Sequence, residues 1–137
     1  MLKRLLTIIA VGAFAASVMS TLAQKSAAAP STAMNAQITQ GKYLVTAVAG
    51  CMDCHGANLH GAALPFGPIV KLPPGMHWTK YAPNIVALIG SGSAAKWARF
   101  FETGLDPYGR HANLPMPQFR MKPSDAHAVI AYIRSLR

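Results

Sequence analysis

Cys51-Met52-Asp53-Cys54-His55 constrains this chain more than any other segment, because it holds both cysteines and sets a histidine directly after the second. A zinc ribbon needs a second cysteine pair, and the sequence has none. A thioredoxin-like dithiol belongs with a βαβ pattern, which is not visible here. A plain disulfide accounts for the thiols but leaves the histidine unexplained. C-x-x-C-H is instead the attachment signature of a c-type haem. Two thiols three positions apart reach the two vinyl groups on one edge of the macrocycle, and the next residue lies under the iron. The motif therefore nominates Cys51 and Cys54 as haem-binding residues and His55 as the proximal iron ligand. The implied cofactor is one covalently attached haem c, and the fold must form around that flat apolar plate.

The N-terminus points the same way. Met1-Leu2-Lys3-Arg4 is a short positive segment, and Leu5 to Val18 is an apolar run broken only by Thr7, Gly12 and Ser17. Thr21-Leu22-Ala23 ends it in small residues, so residues 1–23 read as a secretory signal peptide. The run is shorter than the roughly 20 residues a spanning helix needs, and no second run is long enough, so no stable membrane span is expected after cleavage. Thioether attachment of haem occurs, in bacteria, outside the cytoplasmic membrane, so export to the periplasm and the C-x-x-C-H support each other. Residues 24–37, rich in Ala, Ser and Thr, read as a flexible leader. The folded domain is expected over residues 38–137, a size at which a single core is thin without a buried cofactor.

Thirteen Lys and Arg face four Asp and Glu, a formal charge of +9. Charged residues make up 12% of the chain, about half the usual share. A clustered basic run with interleaved aromatics, as in nucleic-acid binding, is missing, and an exported protein rarely meets nucleic acid. Docking on an acidic redox partner, or lingering near anionic lipid, suits this charge better.

Three helices separated by loops are expected, an all-α arrangement. Thr39 is a plausible N-cap for a helix from Gln40 to about Ala49, with Ile38 and Tyr43 forming a hydrophobic staple. Gly50 can end it, delivering Cys51, Cys54 and His55 directly. Five prolines, Pro65, Pro68, Pro73, Pro74 and Pro83, make Gly56 to Gly92 read as loop. Ser93 to Thr103 fits a helix capped by Ser93 and stopped by Gly104, with Trp97, Phe100 and Phe101 on one side as core or haem packing. A last helix follows Pro123, with Ser124 as N-cap and a buried stripe of Ala126, Val129, Ile130, Ile133 and Leu136.

These segments resemble the class I, mitochondrial-type monohaem cytochromes c. The matching residues are Cys51, Cys54 and His55, then Ala82-Pro83-Asn84-Ile85, then Leu114-Pro115-Met116-Pro117, then Ala131-Tyr132-Ile133-Arg134-Ser135-Leu136. The later segments are similar to those in the cytochrome c subunits or domains of periplasmic dehydrogenases. The resemblance covers about Gln40 to Arg137. It implies a cytochrome c fold, three main helices with long loops wrapped around one covalent haem. It further implies that a proline carbonyl, with Pro68 the best match, accepts a hydrogen bond from the proximal imidazole. The implied partners are redox proteins, a periplasmic dehydrogenase and an acidic electron acceptor.

Of the methionines after the signal, Met34 lies in the leader, Met52 lies within the motif, and Met76 is read as packing. Met116 stands between Pro115 and Pro117, which fix an extended chain and remove competing amide donors. A stiff loop loses little entropy on ligation, and the position matches the family's distal methionine. Met116 is assigned as the sixth ligand, with Met121 as runner-up and His111 as a bis-His alternative. Relatives often carry a longer segment where this chain has Gln118-Phe119. His60 and His77 read as surface or propionate-side residues, His127 as exposed, and Tyr81, Trp78 and Arg110 as candidate propionate partners.

The expected function is one-electron transfer by a His/Met-ligated haem, as a shuttle or a dehydrogenase subunit, with no catalytic residues. The other class is a haem enzyme or gas-binding sensor with an open distal position. Neither a Ser/His/Asp set nor paired carboxylates nor a glycine-rich phosphate loop supports a separate catalytic chemistry.

Overall fold

The first described element is a helix that is already formed at Pro30. The computed structural model describes residues 30–137, and the expected signal peptide and the first part of the expected leader lie outside them. Helix α1 runs Pro30–Tyr43 and continues into a π-helical turn over Leu44–Val48, closed by the Ala49 N–H on the Leu44 carbonyl at 2.8 Å. Residues 30–37 are thus helical, which places the helix ahead of the expected Gln40 boundary and within the expected leader. Thr39 caps nothing: its hydroxyl donates to the Asn35 carbonyl, one turn back inside the helix, at 2.9 Å. Tyr43 is exposed, so no staple forms with Ile38.

Gly50 turns the chain in the left-handed region at φ 58°, and the short helix α2, Cys51–His55, follows at once. A two-stranded antiparallel ladder, β1 Ala62–Ala63 with β2 Tyr81–Ala82, pairs Ala62 with Ala82 and Ala63 with Tyr81. Helix α3, Ile85–Ser91, then occupies a stretch expected to be loop. Asn84 nucleates it, its side chain accepting from the Ala87 N–H at 2.9 Å. Helix α4, Ala94–Thr103, matches its expected bounds: Ser93 is the N-cap, and Gly104 stops it at φ 75° with its N–H on the Phe100 carbonyl. Helix α5 spans Pro123–Ser135, with Lys122 at the N-cap position and Pro123 in the first turn, so Ser124 does not cap it.

The fold class is all-α, five helices and one small ladder among the described residues. The core lies where α4 and α3 meet α5. Helix α5 buries Ala126, Ala128, Val129, Ile130 and Ile133, while Leu136 stays partly exposed, one turn too late to reach the core. Gly41 lets α1 approach α5 closely, since a Cβ there would run into the Ala128 carbonyl and the Tyr132 side chain. Arg134 donates to the Ile89 and Gly92 carbonyls, and Arg137 donates to the Gly90 carbonyl. The end of α5 thus supplies cations to the C-terminus of α3, where unpaired carbonyls gather. Among the described residues no helix is long and apolar enough to cross a membrane.

Candidate functional site

The tight turn at Gly50 places Cys51, Cys54 and His55 along one cavity of about 670 Å³. This lies within the range of sites that enclose a sizeable organic cofactor. Aromatic residues of α4, together with Ile85 and Ile89 of α3, supply apolar wall. Trp97, Phe100, Phe101 and Phe119 form a continuous series of rings with centroid spacings of 5.9, 5.2 and 5.8 Å. The expected burial of Trp97, Phe100 and Phe101 is borne out, and Phe119 is half-buried beside them.

His55 is 5% exposed, and its Nδ1 lies 2.8 Å from the Pro83 carbonyl oxygen. A carbonyl only accepts, so Nδ1 carries the proton and Nε2 keeps its lone pair for a metal. The acceptor is therefore Pro83 rather than Pro68. The physical reason lies in the local fold: β2 ends at Ala82 and α3 is capped at Asn84, fixing the carbonyl between them, whereas Pro68 sits on an exposed loop.

Cys51 and Cys54 are both free thiols. Burial pushes the Cys51 thiol up to about 11, with Asp53 and Cys54 adding to the rise against a backbone hydrogen bond.

Pro115, Met116 and Pro117 also line the cavity. The Met116 N–H donates to the Asn113 carbonyl at 3.1 Å, and Leu114 exchanges bonds with the His77–Thr79 segment at 2.8 and 2.7 Å. The methionine loop is thereby strapped to the chain that leads into β2. Met121 does not line the cavity: its N–H donates to the Phe101 carbonyl, and its side chain packs on the core. Met52 and Met76 also lie away from it. His111 does line it, with Nδ1 3.2 Å from the Gly104 carbonyl, whereas His60, His77 and His127 do not.

Tyr81 and Arg110 face the same cavity. The Arg110 guanidinium is engaged, donating to Asp106 Oδ2 at 3.1 and 2.9 Å and lying 5.0 Å from the Tyr108 ring centroid. Trp78 Nε1 is buried without a partner, but Trp78 does not line the cavity. Sequence reasoning missed the wall made by α3 and by Phe119; the cap at Asn84 and the glycine at position 92 were the local signs of α3. Among the described residues, no group of three or more His, Cys, Asp or Glu could form a separate metal cluster.

Two free thiols, an imidazole with Nε2 available, a thioether and aromatic walls make a donor set that fits a covalently held haem. A family model described as cytochrome c matches residues 38–137. No curated protein and no solved structure gives a significant match.

Proposed function

The chain belongs to the cytochrome c family, matched over residues 38–137, and we propose that it is an exported, periplasmic one-electron carrier, acting as a free shuttle or as the cytochrome subunit of a dehydrogenase. The family implies haem-based electron transfer, and its members are generally carriers rather than enzymes. The observation that carries the reading is the convergence of Cys51, Cys54, His55 and Met116 on one cavity.

In this reading Cys51 and Cys54 hold the cofactor through thioethers. His55 presents Nε2 to the iron, its ring orientation set by the Pro83 carbonyl. Met116 supplies the sixth ligand from a loop stiffened by Pro115 and Pro117. When bound, haem supplies a one-electron Fe(III)/Fe(II) couple, and a His/Met pair places its potential high. The aromatic wall excludes water from the site. His55 and Met116 would together hold the metal, so the group would supply one-electron transfer rather than a substrate-binding position. The basic charge favours docking on an acidic acceptor.

Replacing Met116 with Ala tests the assignment. Loss of the weak long-wavelength iron–thioether band and a lower potential are expected, with haem still attached by mass. An unchanged band would remove Met116 from the ligand set. Rapid carbon monoxide binding by the reduced wild type at neutral pH, together with absence of that band, would favour the open-site class.

A further inference from the structure

Between Leu64 and Thr79 the chain leaves the cavity wall and returns to it, since both residues line the cavity. The Leu64 N–H donates to the Lys80 carbonyl at 2.9 Å and closes the loop at its base. Phe66 stands edge-on to Trp78 with ring centroids 6.1 Å apart, so the loop leaves from a fixed root. At the tip Ile69 is 100% exposed and Val70 68% exposed, with Phe66 and Met76 about half exposed. Single apolar side chains in water are ordinary, but four exposed on one loop give it apolar surface to bury against a partner.

The composition of the loop selects the partner. From Pro65 to Met76 the only side chain able to donate or accept a strong hydrogen bond is Lys71. A protein interface of useful size carries about one hydrogen bond per 100–200 Å², and this surface has almost nothing to supply them. Pro65, Pro68, Pro73 and Pro74 have no backbone N–H, which lowers the cost of taking an irregular loop out of water. The Met76 N–H is already satisfied by the Pro73 carbonyl at 3.2 Å. No Asp or Glu occurs between Asp53 and Glu102, while Lys71 lies in the loop and Lys80 at its base. An apolar tip with basic residues and no acidic ones complements an anionic lipid surface.

We propose that the Pro65–Met76 loop is an interfacial anchor that places Ile69 and Val70 at the headgroup level of an anionic bilayer, with Lys71 and Lys80 against the lipid headgroups. The anchor goes beyond the electron-transfer reading and does not depend on it. Because its roots line the cavity, the anchored protein holds its cofactor site beside the membrane surface.

The test is co-sedimentation of the mature, haem-loaded protein with phosphatidylcholine vesicles, with and without phosphatidylglycerol. Binding to the anionic vesicles is expected, weakened by salt and small on phosphatidylcholine alone. The double variant Ile69→Ser, Val70→Ser is expected to lower partitioning about tenfold or more. An unchanged visible spectrum verifies its fold. Should the double variant lose its spectrum, Val70→Ser alone, at an exposed position, carries the comparison with a smaller loss. Absence of binding to anionic vesicles overturns the proposal. So does binding that the loop variants leave unchanged, which would assign the attraction to overall charge.

Discussion

Gly41 is a residue whose importance comes from what it lacks. Any side chain there meets the Ala128 carbonyl and the Tyr132 Cβ, so backbone on one helix or the other must move. Gly41→Ala is expected to lower stability by about 1–3 kcal/mol, the usual cost of overpacking a close contact. The unfolding midpoint of the haem-loaded protein in denaturant measures it. Gly67, with nothing within 4 Å of its added Cβ, is the control, and Gly67→Ala should leave the midpoint nearly unchanged. The attachment motif was legible residue by residue because its chemistry is local: thiol spacing and the histidine after it need no tertiary information. The Pro83 contact was not, since several prolines precede β2 and only the assembled chain decides which carbonyl reaches Nδ1. Leu59 makes the same point. It holds φ 62° while 1% exposed, and nothing in Asn58-Leu59-His60 announces that packing will impose that conformation.

Helix α3 shows how an element can be written in the sequence and still be missed. Its start is marked by Asn84 and its end by Gly92, but it is short and follows the proline-rich stretch that reads as loop. Isolated helices of this length do not persist in water, so the element depends on its neighbours. Arg134 and Arg137 on the far end of the chain complete its C-terminal carbonyls. Arg134→Ala should therefore cost about 1–2 kcal/mol. Amide exchange in α3 should accelerate more than in α4, which carries its own stop at Gly104. Equal acceleration in both helices would show that Arg134 acts on the whole fold instead. Helix α4 was legible in full because Ser93, the aromatic spacing and Gly104 all agree within one segment. Thr39 misled for the opposite reason: a residue suited to capping also tolerates a helix interior when its hydroxyl bonds back to the preceding turn.

For the molecule as a whole, four carboxylates against thirteen cations leave few groups that can stabilise the native state by being ionised. Asp106 is the one whose surroundings act on it most clearly. Burial would raise its pKa, but the Arg110 and Tyr108 backbone N–H groups and the Arg110 guanidinium together hold it below the ordinary value. Its Oδ1 accepts those two N–H bonds at 2.9 and 2.8 Å, binding up the turn between Leu105 and His111. Asp106, Arg110 and His111 all line the cavity, so the turn supports the site from the side of the methionine loop. A carboxylate with a depressed folded-state pKa stabilises fully above its unfolded value, about 3.9. That contribution fades as pH falls through the lower folded value, because the unfolded chain then binds the proton first. Asp106→Asn removes this dependence while keeping a side-chain oxygen in place. The variant should be less stable than wild type at neutral pH, and the difference should shrink as the pH falls below about 4. Denaturant titrations of both proteins across that range measure it. A difference that stays constant with pH would mean that Asp106 acts through the shape of the turn rather than its charge.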